Sequence, residues 1–116
     1  MRELWIEGDL VENSCLFGRS YYFGGAEGAS EWSWMRICTD GSRVDIGEPR
    51  AVDPSFPYPT PAHHDPRDPR VLALTADDVG CRLKAKCRPV RSDGEGGYVA
   101  TSKPTQVVTP DAAADA

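Results

Sequence analysis

The chain has 116 residues, 40% of them hydrophobic and 27% charged, which amounts to one globular domain. Its 13 basic and 18 acidic side chains give a net charge of −5, which argues against a general nucleic-acid binder and leaves room for a local basic patch. No run approaches the roughly 18 apolar residues of a membrane-spanning helix, and eleven glycines with ten prolines suit a turn-rich β domain better than a helical bundle.

The opening Met-Arg-Glu-Leu-Trp-Ile-Glu has no apolar signal core, so the expected setting is reducing and cytoplasmic. Leu4-Trp5-Ile6 predicts a short edge strand ending in a turn at Glu7-Gly8-Asp9. Residues 15–23 suit a second strand, with aromatics in both phases. Leu16, Gly18, Ser20 and Tyr22 fall on one face; Cys15, Phe17, Arg19, Tyr21 and Phe23 fall on the other, with Tyr21 and Phe23 the expected exposed rings. A turn at 24–29 leads to a Trp-rich strand over 31–38. Asp40-Gly41 then marks a hairpin, because such turns need the positive φ that Gly adopts freely, and 43–46 is the returning strand.

Residues 49–69 hold seven of the ten prolines. They predict a long surface loop, partly extended or mobile, that supplies no central strand because proline lacks a ladder donor. Val71–Leu74 predicts another strand. After it, Thr75 and Asp78 have the spacing of a capping box and Gly80 ends the turn, so one helical turn is expected at 75–79. Cys81–Arg88 alternates small or apolar residues with basic ones, the signature of a half-buried strand with one wet face. A turn at 92–97 and a last strand over 98–108, interrupted at Pro104, complete the domain, and 109–116 reads as linker or tail. The result is an all-β, immunoglobulin-like β-sandwich of about seven strands spanning 1–108.

Cys81 and Cys87 lie about 20 Å apart if they share one strand, too far for a disulfide. Cys15 with Cys87 would match the inter-sheet pair of immunoglobulin domains, but Cys15 sits out of phase with the apolar set of its own strand. That and the reducing compartment favour four free thiols packed as small apolar residues. There is no CxxC for zinc, and no metal or cofactor is expected. No nucleophile elbow accompanies the Ser, His and Asp residues, and His63-His64-Asp65 sits among prolines, so no catalytic site is expected.

Two segments are candidates for binding. Arg82, Lys84, Lys86 and Arg88 project from one face about 7 Å apart, with Arg91 close behind. They suit an acidic partner, or a solvated face where their heads meet Glu or Asp on neighbouring strands. Phe56 and Tyr58, set among prolines, suit a docking segment of polyproline-II type or packing back onto the domain. Exposed aromatics would instead suggest a carbohydrate-binding or adhesive module.

Three segments together carry a resemblance: Leu16-x-Gly18; Glu27-Gly28-x-Ser30-x-Trp32-x-Trp34-x-Arg36; and Leu74-Thr75-Ala76-Asp77-Asp78-Val79-Gly80-x-x-Leu83. They resemble the Ig-like tandem repeats of the plant and protist microtubule-associated leucine-rich-repeat family named for auxin-induced root cultures, across about 16–108. Similar modules occur in bacterial surface proteins. The resemblance implies that Trp34 is the core tryptophan, that Leu16 points inward and Cys15 outward, and that Val79 and Leu83 pack under the helical corner. It implies a non-enzymatic module of a microtubule or axonemal assembly. Its partners would be proteins such as tubulin and neighbouring repeats, with no nucleic acid and no membrane. The 49–69 segment departs from the family, whose repeats have a short connection there.

Overall fold

The computed structural model describes residues 2–22, 30–53, 55–90 and 98–111. Among these residues seven strands form in chain order: β1 (Arg2–Gly8), β2 (Cys15–Tyr22), β3 (Glu31–Ile37), β4 (Arg43–Ala51), β5 (Val71–Ala73), β6 (Arg82–Arg88) and β7 (Ala100–Thr101). They make two antiparallel sheets, β1-β2-β5 and β4-β3-β6-β7. In immunoglobulin terms the orders are A-B-E and C′-C-F-G, and the Pro-rich segment occupies the stretch of sequence where a D strand would run.

Between the sheets lie Leu16, Trp32, Trp34, Leu74, Leu83, Ala85, Cys87 and Val108, each no more than 4% exposed. Leu16 faces inward and Cys15 is half-exposed, the phase that the family resemblance implied. The alternation in β6 is realised directly: Leu83, Ala85 and Cys87 are buried, and the basic residues between them face out. Val79 packs on the core beneath the corner.

The local turn chemistry works as the residue types dictate. In the β3–β4 hairpin, Gly41 adopts φ +86°, and the Asp40 carboxylate accepts from the Ser42 N–H (2.9 Å) and hydroxyl (2.6 Å). After β5, a 3₁₀ turn over Ala76–Asp78 is held by the buried Asp78 carboxylate, which accepts the Thr75 N–H at 2.8 Å.

Several expectations need correction. β1 runs through Gly8, so the predicted turn at 7–9 starts later; Gly8 has φ +127° and sits against the backbone of Cys15 and Leu16. β4 continues to Ala51 and includes Pro49. As an edge strand it tolerates a missing donor, and its register slips where Ser33 faces Gly47, Glu48 and Pro49, with Gly47 at φ +73°. The last strand shrinks to Ala100–Thr101. Beyond it, single bonds keep the chain on β6: Thr105 N–H to Leu83 O and Val108 N–H to Cys81 O, both 2.9 Å. The turns expected at 24–29 and 92–97, Phe23, Arg91, the tail beyond 111 and the side chain of Tyr21 lie outside the described residues.

The Pro-rich segment is packed down rather than loose. Phe17 and Arg19, on the outer face of β2, are 2% and 6% exposed because this segment covers them. Arg19 donates to Glu7 on β1 (2.9 Å) and to the Pro59 carbonyl, and its guanidinium lies 5.2 Å from the Phe17 ring centre and 4.6 Å from that of Tyr58. The Trp34 indole donates to the Pro69 carbonyl at 2.9 Å, and the fully buried Asp68 carboxylate is paired with Arg70 at 2.6 Å.

Candidate functional site

The four basic residues of β6 do project from one face, and the register of the sheet decides what each one meets. Directly opposed residues in an antiparallel pair share a face. Arg43, Ile37 and Arg82 therefore form one row across β4, β3 and β6; Asp45, Met35 and Lys84 form the next; Ser33 with Lys86, and Glu31 with Arg88, follow. Those rows carry five basic side chains and two carboxylates.

Both carboxylates pair with the Lys86–Arg88 half of the ladder. Lys86 Nζ is 3.1 Å from Asp45 and Arg88 is 2.8 Å from Glu31. These pairs border a cleft of about 280 Å³ that Pro49 and Val99 also line. Half of the ladder thus takes the solvated-face arrangement, in which ion pairs of this kind add little stability.

The other end differs. Arg82 donates to the Thr105 carbonyl at 3.2 Å, and among the described residues neither it nor Lys84 nor Arg43 has an acidic partner. Between these cations lie the half-buried side chains of Met35 and Ile37. The surface is an apolar strip flanked by Arg82 and Lys84 on one side and by Arg43 and the Asp45 carboxylate, already paired with Lys86, on the other; its excess of cations suits a peptide carrying carboxylates around an apolar residue. Sequence reasoning did not single out Arg43, because its place beside the ladder depends on the hairpin register, and an isolated Arg gives no periodic signal.

Phe56 and Tyr58 are not part of this face. They sit in the segment that covers β2, on the opposite side of the sandwich. Phe56 is half-buried with Arg67 5.7 Å from its ring centre, and Tyr58 lays one face on Arg19 while 66% of it stays exposed. The ladder and the proline segment therefore do not form one site.

The other chemistry-bearing residues have local duties. The His64 ring packs edge-on against Phe17, with centroids 5.4 Å apart, and its Nδ1 lies 2.9 Å from the Thr60 carbonyl. Asp65 accepts from the Arg67 side chain and N–H, which hold its carboxyl down at about 2. The hydrogen bond from Arg19, with a smaller one from the Trp5 indole, keeps the Glu7 carboxyl below the usual carboxylate range. Trp32 and Trp34 both point inward at 2% and 4% exposure, so neither offers a stacking platform to a sugar. None of the four cysteines is joined in a disulfide. Among the described residues no three His, Cys, Asp or Glu side chains converge.

Comparison with known proteins adds two findings. Residues 1–52, which contain β1 to β4, match the model of the AIR9 A9 domain. Over 112 residues, or 96% of its length, the chain is 32% identical to the 187-kDa microtubule-associated protein AIR9 of Arabidopsis thaliana. It spans only 6% of that relative.

Proposed function

The chain is an AIR9-like domain of immunoglobulin type, and on that premise we propose that it is a non-enzymatic interaction module of a microtubule-associated protein. Its place is the cytoplasmic cytoskeleton, within a larger chain that carries neighbouring modules of the same kind. The outer face of β4-β3-β6 docks an acidic protein segment, of which the carboxylate-rich tails of tubulin are the first candidate. One observation carries this reading: on a chain of net charge −5, Arg43, Arg82 and Lys84 gather around Met35 and Ile37 with no acidic partner among the described residues. A field reversal of that kind steers an acidic partner and sets its register on the face. Lys86 and Arg88, already paired with Asp45 and Glu31, contribute less.

The test is co-sedimentation of the 116-residue chain with polymerised microtubules at low and physiological salt. Pelleting that fades as salt rises is expected. Arg82→Glu with Lys84→Glu should weaken it about tenfold or more, while Lys86→Gln should change it by less than about threefold. Failure to pellet at low salt removes direct tubulin contact. Pelleting that ignores both salt and the double reversal removes the ladder as its cause.

A further inference from the structure

Away from that face, the fold sets two thiols side by side. The β3–β6 ladder ends with Ile37 opposite Arg82, and one further register step sets Cys38 opposite Cys81. The backbone groups of both turn away from each other. The Cys38 N–H donates to the Ser42 carbonyl at 2.8 Å within the hairpin, and the Cys81 carbonyl accepts from the Val108 N–H at 2.9 Å. Cys38 and Cys81 thus occupy a non-hydrogen-bonded antiparallel position, where facing Cα atoms come to about 4.5 Å and side chains approach most closely. That separation falls inside the roughly 4.4–6.8 Å that a disulfide spans. Both side chains lie on the face that carries Trp34 and Leu83. The two thiols are within hydrogen-bonding reach of one another, and both are free.

We propose that Cys38 and Cys81 form a dithiol site that a hydroperoxide oxidises to a cross-strand disulfide. Cys38 is half-exposed and meets the oxidant first; Cys81 is 6% exposed, and burial, followed by the neighbouring Cys38, pushes its thiol pKa up, so it serves as the resolving partner. In the first step the Cys38 thiolate, its proton lost to solvent, attacks one peroxide oxygen. An S–O bond forms, the O–O bond breaks, and the leaving oxygen departs as water or alcohol after taking a proton, which leaves a sulfenic acid on Cys38. In the second step the Cys81 sulfur attacks the Cys38 sulfur. The S–S bond forms, the S–O bond breaks and water leaves with the Cys81 proton. Two thiols are oxidised by two electrons and one peroxide is reduced. The new bond ties the end of the β3–β4 hairpin to the corner that holds Asp78, closing a loop of about 40 residues in the unfolded chain.

The test treats the reduced 116-residue chain with hydrogen peroxide and reads intact mass, peptide map and thermal midpoint. Expected are the loss of two hydrogens, a Cys38–Cys81 linked peptide, and a midpoint raised by about 10 °C that dithiothreitol reverses. Cys38→Ser, at a half-exposed position that tolerates a hydroxyl, should abolish both the link and the shift; Cys15→Ser should leave both in place. A linked peptide that uses Cys15 or Cys87, oxidation of Cys38 to a sulfinic acid without a link, or a link that leaves the midpoint unmoved overturns the proposal.

Discussion

Gly18 offers the sharpest test of how the two sheets fit. It lies in β2 opposite Ile6, with its missing side chain aimed at Trp32. A Cβ at this position would stand 2.5 Å from Cζ3, 3.0 Å from Cε3 and 3.3 Å from Cη2 of that ring, where carbon atoms prefer about 3.5–4.0 Å. The ring has no room to retreat: it is 2% exposed and its strand is paired with β4 on one side and β6 on the other. Backbone preference argues the opposite way. Gly18 is not among the residues with positive φ, so alanine fits its conformation and would stabilise by about 0.4–1 kcal/mol through the unfolded chain. Overpacking a filled core costs about 1–3 kcal/mol. The steric term should win, leaving Gly18→Ala destabilised by about 1–2 kcal/mol and its midpoint lowered by roughly 5–10 °C. Thermal and urea unfolding followed by tryptophan fluorescence measure this. Trp32→Leu supplies the control, because in that background Gly18→Ala should become neutral or stabilising. A Gly18→Ala protein as stable as its parent, or an equal loss in both backgrounds, refutes the argument that the ring sets the limit.

Arg19→Met keeps the stem but removes the charge that joins Glu7 to the Pro59 carbonyl. Hydrogen exchange at the Thr60 and His63 amides, which bond each other's carbonyls at 3.0 and 3.1 Å in that segment, should then quicken at least about tenfold, because weakening local closure by about 1.4 kcal/mol multiplies the open population by that factor. Asp78→Ala leaves the Arg36 guanidinium, 2.8 Å away and 21% exposed, without its counter-charge, and frees the Thr75 N–H. A loss of about 2–4 kcal/mol in urea unfolding is expected, with Asp78→Asn milder because it can still accept the Thr75 bond. The Asp65 carboxyl titrates at about 2 in the fold against an ordinary 3.8, so its ionised form is the one the fold favours. The contribution of Asp65 is complete above about pH 4 and is lost as pH falls through about 2. Carboxyl chemical shifts followed by NMR should give that midpoint, and Asp65→Asn should remove the matching part of the acid response.

Some of this fold could be read one residue at a time. The alternation over Cys81–Arg88, Asp40-Gly41 and the Thr75–Asp78 box each describe a stretch shorter than ten residues, whose conformation follows from side-chain period and local hydrogen bonding. Such patterns state which face of a strand is wet and where the chain turns. What lies across from each residue was settled by pairing between distant segments. Phe17 and Arg19 belong to the outer phase of β2, yet they are buried because a segment some forty residues later folds over them, and prolines read as a sign of looseness instead supply carbonyls at Pro59 and Pro69 that Arg19 and Trp34 bind. Arg82, Lys84, Lys86 and Arg88 look alike along the chain. The registers of β4 and β3 set Asp45 and Glu31 beside two of them, and place Arg43 near the others. The same registers bring Cys38 to Cys81. Period and turn chemistry are properties of neighbours in sequence and were legible in this chain. Register and the covering of a sheet face are energies shared between segments tens of residues apart, and only the folded structure decided them.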